Sequence, residues 1–158
     1  MFRKILISIA LVLSACTKVE DVSLPISTSN ETALNFYKKA LVHVSQGEWP
    51  EGRESFQSAL RIDPNFVMAN LYGWTNDPVQ NRKYRETAIA NKDQASEAER
   101  IMVEIWQAGR EGKSDKRLEL AKELVEKYPT SPLSITAEKY LESLKLGGPV
   151  YKPVYQEE

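Results

Sequence analysis

The chain is poor in the residues that most enzyme chemistry and covalent stapling require. It carries one cysteine, Cys16, and one histidine, His43, in 158 residues. A lone cysteine excludes an intramolecular disulfide and any paired-cysteine metal site. A lone histidine without a cysteine partner makes a poor start for zinc. Neither Gly-x-x-x-x-Gly-Lys-Ser/Thr nor Gly-x-Gly-x-x-Gly occurs, so no phosphate cradle is signalled. Counting alone leaves a Ser–His–Asp triad open, but no Gly-x-Ser-x-Gly marks its nucleophile. The formal net charge is −1, which is no electrostatic footprint for nucleic acid, and no polybasic patch stands out. No apolar run approaches the roughly 20 residues of a membrane-spanning helix. No catalytic residue, metal ligand or cofactor is therefore expected, and the chain reads as a non-enzyme.

The amino terminus does carry a signal. Arg3 and Lys4 precede an apolar run of nine, from Ile5 to Leu13, broken only by Ser8. A basic start, a short apolar core and small residues at a cut site describe a secretory signal. Leu13-Ser14-Ala15-Cys16 closes it and resembles the lipobox of bacterial lipoproteins. In that family the cysteine thiol receives a diacylglycerol, the signal is cut before it, and the new amine is acylated. The resemblance implies a signal over residues 1–15, lipidation at Cys16 and anchoring on a membrane through that lipid. Each buried methylene contributes about 0.8 kcal/mol, so two or three chains hold firmly where one holds reversibly. Thr17 after the cysteine, by the family's usual sorting pattern, implies the outer membrane of a Gram-negative cell envelope. Residues 16–29 are polar, interrupted by Pro25, and read as a tether. The 143 residues from Cys16 to Glu158 suffice for one domain with a modest core.

Seven helical stretches follow, each with a start signal. Thr28-Ser29-Asn30-Glu31 has capping-box spacing and opens a helix to about Gln46. Pro50 suits the first turn of a second helix, ending near Ile62. A third runs from about Asn65 to Trp74. Asp77 can cap a fourth with Pro78 at its first position, ending near Asn91. Ser96-Glu97-Ala98-Glu99, again a capping box, starts a fifth, to about Gly109. Ser114 can cap a sixth, ending at Tyr128-Pro129, and Thr130-Ser131-Pro132 starts a seventh, to about Gly147. Apolar residues fall at helical spacing, as in Phe36, Ala40 and Val44, or Ile101, Ile105 and Ala108. The class is all-α.

Ala40, Gly47, Trp49, Gly52, Phe56, Ala59 and Pro64 are spaced like the signature of a tetratricopeptide repeat. Small Ala40 and Gly52 let two helices approach, Trp49 and Phe56 fill the space beside them, and Pro64 ends the pair. His43 and Lys39 depart from the pattern. A degenerate second unit spans 101–129, with Gly112 in the place of Gly47 and Pro129 in the place of Pro64. The resemblance implies a short superhelical array of antiparallel hairpins over residues 30–146, about three repeats plus a capping helix, followed by an extended tail at 147–158. So short an array is near the lower limit of stability, which leaves room for a homodimer.

The same resemblance implies a surface that binds a protein partner along the first helices of the repeats. Its register places Tyr37, Leu41, Met68, Tyr72, Met102, Trp106 and Arg110 there, side-chain types in which binding energy concentrates. The asparagine and lysine arrangement that clamps a terminal carboxylate in some members is not seen. The acidic clusters Glu48, Glu51, Glu54 and Glu97, Glu99, Glu104 read as solvated helix faces, and His43 as a packing or surface residue. The expected function is an envelope adaptor that recruits a protein. The alternative is a lipoprotein that binds a glycan or nutrient, with Trp74, Trp106 and Tyr72 stacking on sugar rings.

Overall fold

The computed structural model describes residues 27–145. The signal, Cys16, most of the tether and the tail at 147–158 lie outside the described residues.

Within that span every regular element is helical. The elements are α1 (Glu31–Ser45), α2 (Trp49–Ile62), α3 (Val67–Tyr72), α4 (Pro78–Asn91), α5 (Glu97–Arg110), α6 (Ser114–Lys127) and α7 (Pro132–Lys145), with a 3-10 turn at Lys92–Gln94 before α5. Neighbours in sequence are neighbours in space: α1 packs on α2, α3 on α4, α5 on α6, and α6 on α7. Among the described residues no helix is long and apolar enough to cross a membrane.

Local chemistry sets most of the ends. Asp77 accepts from Val79 N at 2.9 Å with Pro78 in the first turn of α4. Ser96 and Glu99 make both arms of a capping box at α5. Two ends differ from the sequence reading. The cap of α1 is Asn30, whose side chain accepts from Thr32 N and Ala33 N, and not Thr28. The Thr28 hydroxyl donates to Asp63 at 2.6 Å and accepts from Asn30 N at 3.2 Å. At α6 the helix starts on Ser114 itself, so that its side chain caps nothing.

The α1–α2 and α5–α6 turns are built alike, 65 residues apart. Gly47 and Gly112 both hold a positive φ, 79° and 69°, which a side chain would strain. Glu48 N bonds His43 O at 2.9 Å and Lys113 N bonds Ala108 O at 2.9 Å. Gly47 N and Gly112 N reach Val44 O and Gly109 O. Each is a Schellman closure. The α2 and α6 helices, both of 14 residues, begin and end at the same offset.

Gly52 explains how closely α1 and α2 approach. A Cβ there would lie 2.8 Å from Val44 Cγ2 and 3.4 Å from Ala40 O. Phe56 fills the space beside that crossing and meets Tyr37 edge-on at 5.8 Å, while Tyr37 packs on Phe66 at 5.0 Å. One continuous core runs from Ala33 through Phe56, Phe66, Ile101 and Leu124 to Tyr140. Trp49 does not join it. The residue is 53% exposed, with its ring edge-on to Trp74 at 6.3 Å, because the first residue of α2 sits at the rim of the hairpin.

The third helix is six residues long, shorter than its apolar run suggests. Gly73 ends it in extended conformation (ψ 151°). A Cβ on Gly73 would be 2.6 Å from Ala69 O and 3.2 Å from Leu60 Cδ1, so the chain turns where only glycine fits.

A polar strap ties the start of the described chain to elements far along it. Ser27 donates from its backbone to Glu99 Oε1 at 3.1 Å and from its hydroxyl to Glu99 Oε2. That hydroxyl accepts from Ser96 N at 2.8 Å. Glu99 is 1% exposed, where the sequence reading placed it on a solvated face. A carboxylate can be buried here because Ser27 and Ser96 surround it with donors.

Candidate interaction surface

The seven residues that the repeat register places at a partner surface separate by depth. Tyr37, Met68 and Met102 are 3%, 1% and 5% exposed and form part of the core, so a partner cannot reach their side chains in the folded chain. The sequence pattern could not sort them, since a side chain on the inner helix face serves the groove or the next hairpin by the same spacing. Leu41, Tyr72 and Trp106 are partly buried, packed on the core with one side accessible, and Arg110 is exposed.

Trp106 is the focus of what remains. The Arg110 guanidinium, one turn further along α5, lies 5.3 Å from its ring centroid. The Arg85 guanidinium, reaching from α4, lies 5.9 Å from the same ring. Guanidinium over indole contributes about 0.5–1 kcal/mol at exposed sites and more when desolvated. Arg85 is itself buried, and it donates to the carbonyls of Asn70 and Gly73 (the latter at 2.9 Å). These carbonyls end α3, where the helix dipole is negative. Arg85 thus couples the end of α3, next to Tyr72, to Trp106. Nothing in the sequence singles it out, because one arginine in a polar helix looks like any solvated cation. In the fold it is one of two buried residues of α4, with Ala88.

A second cation–aromatic pair lies between α6 and α7. The Arg117 guanidinium is 4.1 Å from the Tyr140 ring and packs against Gly109, with its Nε buried and unpartnered. An open cleft of about 450 Å³ lies between α2 and α4, lined by Gln57, Leu60, Arg61, Lys83, Tyr84 and Thr87 among others.

Compared with known proteins, the chain matches no family model, no curated protein and no solved structure.

The titratable groups are arranged for structure. Burial, with Tyr72 and Glu99 nearby, holds the Tyr37 phenol well above its ordinary value. At the N-terminal end of α5, a hydrogen bond from the Tyr128 hydroxyl and then the Lys127 ammonium hold the exposed Glu97 carboxyl below its usual range. His43 Nδ1 pairs with Glu48 across the α1–α2 turn at 2.5 Å. Glu48, Glu51 and Glu54 are exposed. Among the described residues no three His, Cys, Asp or Glu side chains gather as metal ligands would.

Proposed function

We propose that the chain is a lipid-anchored scaffold, held through Cys16 on the outer membrane of a Gram-negative envelope, which recruits a protein partner on a short array of tetratricopeptide-like hairpins. The observation that carries this reading is the recurrence of one hairpin. Gly47 and Gly112 close the same turn in the same hydrogen-bonded way, and the second helices have equal length at the same offset. Repeating one hairpin unit presents a row of first helices as a continuous surface, which is how such arrays bind peptides and protein segments. The accessible part of that surface is Leu41, Tyr72, Trp106 and Arg110. Aromatics and arginine are the residues whose truncation most often costs binding. Lipidation rests on the lipobox-like Leu13-Ser14-Ala15-Cys16 alone.

The test is crosslinking of the native protein in intact cells, with Tyr72→Ala plus Trp106→Ala as the control. One abundant protein partner, lost in the control, supports the adaptor. Equal recovery from both proteins counts against this surface. Incorporation of labelled fatty acid should vanish in Cys16→Ser, and label that persists removes the anchor from the reading. The exposed Trp49, edge-on to Trp74, favours a second reading, a glycan-binding lipoprotein. Calorimetry with a glycan panel separates it, since binding abolished by Trp49→Ala would displace the adaptor.

A further inference from the structure

The helical hairpins give the molecule two unlike edges. At one, the turns at Gly47 and Gly112 form the tips of the α1–α2 and α5–α6 hairpins. At the other, helices start and stop. Tyr128 and Lys127 at the end of α6 reach Glu97 at the start of α5, and Asp63 just past α2 holds Thr28 just before α1. The strap lies on this second edge. Ser27 is fastened to Glu99 and Ser96, and Thr28 to Asp63, by hydrogen bonds spanning 72, 69 and 35 residues of sequence. The preceding chain therefore leaves the domain from a fixed point on that edge, and not from a freely swinging end of α1.

We infer that the strapped edge is the face this domain turns toward a lipid bilayer, with the hairpin tips and the Trp106–Arg110 pair directed away from it. The inference rests on the lipid-anchor reading of Cys16. Ten residues separate Cys16 from Ser27, and that much chain spans at most about 40 Å when fully extended. The 14 residues of α2 run between the two edges, a distance of about 20 Å. Turning the tips to the bilayer would use half of the available reach to pass along the domain's own side. With the strapped edge down, none of that reach is spent on the domain itself. Arg110 is in the last turn of α5 and Glu99 in its first, so the same orientation carries Trp106 and Arg110 outward, where a soluble or opposed partner can reach them. The strap supplies this direction. Without it the exit point would be set by the Asn30 cap of α1 alone.

The full lipidated protein offers a direct test, because acylation consumes the thiol of its single cysteine. A cysteine introduced at Asn65 (strapped edge) or at Gln46 (tip edge), both exposed, becomes the one labelling site. Each labelled protein is reconstituted into phosphatidylethanolamine–phosphatidylglycerol vesicles containing headgroup-nitroxide lipid, and fluorescence quenching is measured. The label at Asn65 should be quenched several-fold more than the label at Gln46. Ser27→Ala combined with Thr28→Ala should bring the two values together. Equal quenching in the otherwise unaltered protein, or stronger quenching at Gln46, overturns the orientation. A protein that does not partition into vesicles overturns the anchor reading itself, and the orientation with it. Hydrogen exchange reads the strap independently of lipid: the Ser27 amide should be protected, and an unprotected Ser27 removes the fixed exit point even if partitioning succeeds.

Discussion

Replacing Glu99 with alanine should destabilise the chain by about 3 kcal/mol, far beyond the effect of an ordinary glutamate on a helix face. The carboxylate accepts from Ser27 N (3.1 Å), the Ser27 hydroxyl, Ser96 N (3.2 Å) and the Ser96 hydroxyl (2.7 Å). The Ser96 N–H contact is one arm of a capping box, whose loss costs about 1 kcal/mol. Hydrogen bonds to a charged group contribute about 1.5–3 kcal/mol each, of which water recovers part once the side chain is gone. The strap sits near the surface, so its donors are rehydrated cheaply and the sum stays near 3 kcal/mol rather than double that. For a domain of this size that is a fall of about 10 °C in Tm. Ser27→Ala should cost about 1 kcal/mol, since it removes one donor and leaves the backbone N–H in place. The decisive quantity is the double variant. Because the two residues share their bonds, its loss should fall short of the sum of the single losses by at least about 1 kcal/mol. Urea unfolding followed by circular dichroism measures all three. Additivity within about 0.5 kcal/mol, or a Glu99→Ala loss that small, would show that the strap does not hold in solution and refute the argument.

The glycines should rank by what a methyl group would meet. Gly73→Ala places Cβ 2.6 Å from the Ala69 carbonyl oxygen, a backbone atom that cannot move aside, so a loss of about 3 kcal/mol is expected in thermal melts. At Gly52 the nearest atom is the movable Val44 Cγ2, and alanine's helix propensity offsets about 1 kcal/mol, leaving a small loss. Gly47→Ala meets nothing within 4 Å and should cost only the left-handed strain, about 1 kcal/mol. A Gly73→Ala protein as stable as the parent would contradict this ordering. Alkaline titration tests Tyr37. Its phenol is raised in the fold, so its contribution is complete below the unfolded value near pH 10 and is lost as pH rises toward the folded value. Stability measured upward from there should fall less steeply in Tyr37→Phe, and parallel curves would count against the burial assigned to that hydroxyl.

What could be read from the sequence followed the range of the interaction responsible. Asp77-Pro78 and the Ser96–Glu99 box act within one turn, and both appear where their spacing places them. The first capping box is displaced by two residues: α1 begins at Glu31, so Asn30 and not Thr28 stands where a side chain can accept from its first free N–H groups, and the Thr28 hydroxyl donates instead to Asp63, 35 residues away. Glu99 looked solvated for a related reason: its partner Ser27 is 72 residues distant and carries no pattern. The close packing at Ala40 and Gly52 was legible because small residues opposite each other announce a crossing. Trp49 sits beside the same crossing yet stays exposed, since the motif gives its position and not the tilt of the first turn of α2. For the seven residues expected to meet a partner, the repeat register named helices but not the depth at which each side chain lies. Tyr37, Met68 and Met102 went to the core and Trp106 and Arg110 to the surface. Arg85 joins α3 to Trp106 through backbone carbonyls, a partnership between an arginine and atoms that every residue possesses.

The strap also dictates an order of events. Most packing in this fold is between consecutive helices, and such local contacts form quickly, hairpin by hairpin, as a chain is delivered from its amino terminus. Ser27 is different. It belongs to the first segment delivered, yet its docking partners are Ser96 and Glu99, which are not delivered until some 70 residues later, and closing that loop adds an entropic barrier of its own. During such delivery Ser27 therefore remains unfastened until the start of α5 is in place. A residue that precedes every helix of the described domain thus finds its place only after α1 to α4 and the start of α5 have been delivered.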